Sequence, residues 1–173
     1  PAIVIEPLNG YRLKENLPEN IGEFTTPLGI PEVVKEGSDI SVVSYGSTFN
    51  IIQNIVPQLE DVGINIELID IRTLLPFDLN HIIVDSIKKT NRLLIVDEDV
   101  PGGASAFILH KILQEQKGYY HLDSEPRCLT AHAHRPAYAS DGDYFSKPNA
   151  EDIFDEIYSM MRECEPGKFP ELY

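Results

Sequence analysis

The sequence predicts an α/β domain of three layers, α/β/α, around a mostly parallel sheet of about five strands. Two observations predict it. Short β-branched apolar runs recur along the chain, and segments with the 3.6-residue apolar period of a helix separate them. Glycine, serine or aspartate stands at most of the changes from one pattern to the other, where turns and caps are needed. Strands that alternate with helices of about 12 to 15 residues favour a parallel sheet with helices on both faces.

Residues 1 to 37 read as a lead-in strand and an extended connector. The apolar run Ile3 to Ile5 is followed by Pro7, Asn9-Gly10, Pro18, Pro27, Gly29 and Pro31, which set turns and break helices. Residues 38 to 162 form the domain, and residues 163 to 173 an acidic tail. Ile40 to Tyr45 is the first strand of the repeating unit, with Ser47 as the expected cap of the next helix. That helix covers about 48 to 62, places Ile51, Ile52, Ile55, Leu59 and Val62 on one face, carries Pro57 inside it and stops at Gly63. Ile64 to Ile71 is a strand, Asp78 caps a helix running to about Lys89, and Arg92 to Val96 is a buried strand. A helix over 104 to 116 follows Gly102-Gly103, 126 to 131 is a short strand containing an apolar, buried Cys128, and the last helix runs from about Asn149 to Arg162.

Composition narrows the function classes. The 173 residues carry 42% hydrophobic and 24% charged side chains, as a globular domain does. No apolar run reaches the roughly 18 residues of a membrane-spanning helix, so no membrane partner is expected. A net charge of −14 opposes a nucleic-acid surface, because phosphates are met by Lys and Arg. Two cysteines, Cys128 and Cys164, show no disulfide or zinc spacing and suit a reducing cytoplasm. Acid gathers towards the end, from Asp141 to Glu171, either as a solvated face with a frayed tail or as a docking surface for a basic partner. The only methionines are Met160 and Met161, so Pro1 follows either a removed start residue or a longer chain.

Three constellations are candidates for chemistry. Ser44-Tyr45-Gly46-Ser47 sits at a strand-to-helix turn but completes neither a phosphate loop nor a nucleophile elbow. Asp97 and Glu98, with Asp99, stand at the carboxyl end of a strand, where functional groups collect in open α/β sheets, and both are candidates for an interface or docking surface. Pro101-Gly102-Gly103 follows, and the paired glycines are expected to let the next helix approach another backbone closely. His132 and His134 alternate, so both rings leave an extended segment on the same side. A metal site needs a third ligand, and His81, His110 and His121 stand at no matched spacing. The preferred reading is a polar loop, with Arg135 and Tyr138, that orders against a neighbouring subunit, while the Asp141-Gly142-Asp143 loop is expected to face a basic partner. No residue is assigned a catalytic, cofactor-binding or metal-binding role.

The order of motifs resembles the C-terminal portion of the beta subunit of thiamine-diphosphate-dependent 2-oxoacid dehydrogenases, in the transketolase C-terminal domain family. The matching stretches are Ile5-Glu6-Pro7 with Tyr11-Arg12, Thr26-Pro27-Leu28-Gly29, Glu36 to Ile40, Val43 to Ser47, Glu67 to Asp78 and Lys89 to Glu98. The most specific is Ile69-Asp70-Ile71-Arg72-Thr73-Leu74-Leu75-Pro76-Phe77-Asp78. The resemblance implies a parent enzyme that decarboxylates a 2-oxoacid and passes the acyl group to a lipoyl carrier, using thiamine diphosphate and Mg2+ held outside this chain. It assigns this domain to assembly: beta–beta self-association, contact with the alpha subunit, and docking of the acyltransferase's peripheral-subunit-binding domain. The long polar segment from His132 to Pro148 replaces a shorter Pro-rich connector, which points to a distinct branch, one form being a fused alpha–beta chain. Two alternatives remain: the corresponding domain of a transketolase or deoxyxylulose phosphate synthase, and a free-standing α/β module for a small ligand.

Overall fold

The computed structural model describes residues 1–14, 16–136, 138 and 141–171. Among the described residues five strands form one sheet: β1 Glu32–Lys35, β2 Ile40–Ser44, β3 Ile66–Asp70, β4 Leu93–Val96 and β5 Arg127–Leu129. Their order is β1-β3-β2-β4-β5, with every pair parallel except the edge strand β1, which runs antiparallel to β3. The sheet is therefore the mostly parallel one the sequence implies. The lead-in strand, however, is β1 and not Ile3 to Ile5, which has no strand partner. Gly37 turns the chain from β1 to β2, and a Cβ there would lie 2.2 Å from the Ile66 backbone.

Helices cover both faces. Against one face lie α1 (Gly46–Asp61) and α5 (Ala150–Cys164), which bury Phe49, Ile52, Ile55, Leu59, Ile153 and Ile157 on Ile40, Val42, Leu68 and Leu94. Against the other lie α2 (Ile82–Thr90) and α3 (Ala104–His110), whose Ile83, Ile87 and Ile108 meet Val43, Ile69 and Ile95. Alternate residues of a strand point to opposite faces, so each central strand feeds both clusters. Burying each Leu or Ile contributes about 1.5–3 kcal/mol. Pro57 lies inside α1 as expected, and Gly63 follows the helix at φ +80°. Val62 lies beyond the buried stripe and is half-exposed.

Several local expectations are corrected. Ser47 does not cap α1: the cap position is Tyr45 with no side-chain bond, and Ser47 is already helical. Asp78 does cap α2, accepting from the amides of Ile82 and Ile83 at 2.8 and 3.0 Å. The third helix ends its regular turns at His110 and continues as a wider π turn, Lys111–Glu115. Cys128 is exposed, not buried. It is paired with Ile95, which faces the α2–α3 side, so alternation aims its thiol at the edge of that face. The tail is packed where a frayed end was one expectation: Phe169 is fully buried, edge-on to Tyr158 with centroids 5.8 Å apart, and the Tyr158 hydroxyl donates to the Pro170 carbonyl. Among the described residues no helix is long and apolar enough to cross a membrane.

The first 28 residues behave differently. All of them whose surroundings are described are exposed, and beyond a single turn of 3-10 helix at Leu8–Arg12 they form no helix or strand. Ten large apolar side chains, from Ile3 to Leu28, stand 59% to 92% exposed along this arm.

Candidate functional site

The loops that follow β2, β4 and β5 meet at the carboxyl edge of the sheet, and Asp97 joins the first two. Its side chain is fully buried. One carboxylate oxygen accepts from the Tyr45 hydroxyl at 2.6 Å and from the Asp99 amide at 3.0 Å, and the other from the Ser105 amide at 2.8 Å. Asp97 thus ties the β2–α1 turn to the start of α3, satisfying an amide that no helical carbonyl can reach. This burial removes it from any docking surface. Burial and the Asp97 carboxylate together hold the Tyr45 phenol well above its ordinary value, so it stays a hydrogen-bond donor. Gly103 is needed beside it because a Cβ there would meet the Asp99 carboxylate at 2.1 Å; the close neighbour is a side chain, where a backbone was expected.

Glu98 is partly exposed. It accepts from the Ser47 hydroxyl at 2.7 Å and lies 3.6 Å from the Lys147 ammonium. The backbone then links this loop to the segment after β5: the Ala131 amide donates to the Asp99 carbonyl, and the His132 amide to the Ser146 carbonyl. That segment is not loop throughout, because residues Asp141–Ser146 form a short helix, α4, which the sequence reading missed. Phe145 on α4 stacks on His132 with centroids 5.5 Å apart, and His134 lies 5.7 Å from His132. Arg135 lies over the Tyr138 ring at 4.8 Å, and both are exposed. Asp143 is exposed, while the side chain of Asp141 lies outside the described residues.

Between the end of β5 and the first turns of α5 runs an open groove of about 390 Å³, lined by Leu129, Thr130, His132, Lys147, Pro148, Asp152, Asp155, Glu156 and Ser159. Asp152, Asp155, Glu156 and Ser159 share one helix face by their i, i+3, i+4, i+7 spacing. Asp152 is engaged in the capping box with Asn149, and Glu156 pairs with Arg127 at 3.1 Å. Asp155 is exposed. The spacing was legible in the sequence, but only the position of β5 and Pro148 makes it a groove wall. The arrangement presents negative charge beside an apolar floor, which suits a cationic side chain. It is the wrong chemistry for a diphosphate, which needs cationic or amide donors. Among the described residues no three His, Cys, Asp or Glu side chains gather to hold a metal ion.

The fold and this edge define the class. Residues 29–153 match the family model described as "Transketolase, C-terminal domain", and the chain belongs to that family. Its curated relatives are narrower in kind. The chain is 35% identical over 127 residues to the pyruvate dehydrogenase E1 component subunit beta of Acholeplasma laidlawii, covering 73% of this chain and 38% of the relative. It is 36% identical over 126 residues to the mitochondrial 2-oxoisovalerate dehydrogenase subunit beta of Dictyostelium discoideum, covering 72% and 33%. The chain thus spans only about two fifths of these relatives or less. A solved split-gene transketolase, an inactive beta4 tetramer, shares the fold with a TM-score of 0.61 at 17% identity, covering 80% of this chain and 44% of that one.

Proposed function

We propose that this chain is the C-terminal assembly and docking domain of the decarboxylating component of a 2-oxoacid dehydrogenase complex. The observation that carries it is the pairing of beta-subunit relatives with a carboxyl edge whose charged groups hold structure together. The parent reaction is oxidative decarboxylation of a 2-oxoacid with acyl transfer to a lipoyl group. Thiamine diphosphate and Mg2+ supply the decarboxylating chemistry there. The groove's carboxylates do not suit a diphosphate, so the cofactor is held by other parts of the parent enzyme. Its place of action is the cytoplasm.

Two surfaces support the assembly role. The apolar arm, residues 1–28, exposes side chains that a larger enzyme would cover, by beta–beta pairing or by contact with the alpha subunit. The acidic face of α5 suits the basic peripheral-subunit-binding domain of the acyltransferase. Titration calorimetry of the chain with that domain tests the docking role. Binding that weakens steeply with salt is expected, and no binding at low ionic strength sinks it. Turnover of pyruvate or 3-methyl-2-oxobutanoate by the chain alone would overturn the non-catalytic assignment.

A further inference from the structure

We propose that His132 and His134 form a two-histidine chelate for a borderline divalent metal ion such as Zn2+, with water completing the coordination. The sequence places the two imidazoles two residues apart, and the structure brings their rings to 5.7 Å between centroids with 37° between planes. A metal about 2.1 Å from one nitrogen of each ring sits roughly 3.2 Å from each centroid, and a tetrahedral angle then separates the centroids by about 5.2 Å. The observed separation lies close to that.

Three features prepare the pair. Phe145 packs beside both rings, at 5.5 Å from His132 and 5.9 Å from His134. His134 Nδ1 lies 2.9 Å from the Arg135 carbonyl oxygen; donation to it fixes the tautomer whose Nε2 carries the free lone pair. The groove that His132 lines holds Asp152, Asp155 and Glu156, on a chain of net charge −14, and this field draws cations. Lys147, Arg135 and Arg127 oppose it, Arg127 pairing with Glu156 at 3.1 Å, while Glu98 lies 3.6 Å from the Lys147 ammonium and offsets its charge. Imidazole ligands favour Zn2+, Ni2+ or Cu2+ over Mg2+ and Ca2+. Because only neutral imidazole ligates, binding releases protons and weakens as pH falls.

The test is a Zn2+ titration of the 173-residue chain carrying Cys128→Ser and Cys164→Ser, which removes competing thiols. It is read by calorimetry and by the ring-proton NMR signals of all five histidines. Saturable one-to-one binding with a Kd on the order of 10 µM is expected, with shifts confined to His132 and His134. His132→Gln and His134→Gln should each weaken it by about tenfold or more, with folding unchanged as both rings are exposed. No saturation at millimolar Zn2+ overturns the proposal. Equal shifts at His81, His110 or His121, or binding unaffected in both variants, overturns it too.

Discussion

Ile3-Val4-Ile5 and Leu93-Leu94-Ile95 are apolar triplets of nearly equal hydrophobicity, yet the first stands 80% to 92% exposed and the second is completely buried. What separates them is the surrounding pattern. Leu93 to Ile95 pairs with β2 and, through Leu94 and Ile95, with β5, while α1 and α5 cover one face and α2 and α3 the other. Ile3 to Ile5 is followed by Pro7, and among the described residues it pairs with no strand and stays exposed beside the 3-10 turn at Leu8–Arg12. Apolar composition alone thus does not bury a segment; a strand needs a partner on its edge and a layer on its face.

The contrast is open to direct attack. Leu94→Ala removes a side chain packed from all sides and should lower the unfolding free energy by about 2–5 kcal/mol, measured by urea denaturation. Asp97→Ala comes next. It leaves the amides of Asp99 and Ser105 and the Tyr45 hydroxyl without their acceptor, and a loss of about 2–3 kcal/mol is expected in the same assay.

A pH series sharpens the picture at the two ends of the sheet. The folded state holds the Tyr45 phenol and the Lys89 ammonium above their ordinary values, the second through Glu36 and Glu67. Both therefore favour folding below about pH 10, and that stability is lost as the pH rises further. Tyr45→Phe should flatten part of this alkaline decline in thermal melts, and an unchanged pH profile would contradict the Tyr45–Asp97 contact. Smallest of all is the arm: Ile5→Ser should change domain stability by less than about 0.5 kcal/mol. A loss comparable with that of Leu94→Ala would show that the arm packs on the domain after all.

Much of the fold was legible because its signals are local. The β-branched runs, the periodic faces of α1 and α5, Asp78 before α2 and Asn149 before α5 each announce themselves within a few residues. What was missed depends on distant parts. Cys128 lies in a strand as expected, but its exposure follows from where the α2–α3 layer ends. The six residues of α4 are too few to display a helical period. Of the candidate site, Glu98, His132 and His134 do gather at the carboxyl edge, while Asp97 is withdrawn into the interior. Lys147 and the α5 wall were overlooked because their meeting requires β5 to lie beside α5.

The capping box at Asn149 and the buried Phe169 have a joint consequence for anything that binds α5. The helix is fastened at its first turn by reciprocal side-chain bonds and just beyond its last by an aromatic plug in the core. Its acidic face is thus a stiff ruler of charge whose spacing is set before a partner arrives. Little conformational entropy remains to be lost when a basic surface lands on it, so recognition can be fast, reversible and governed by ionic strength.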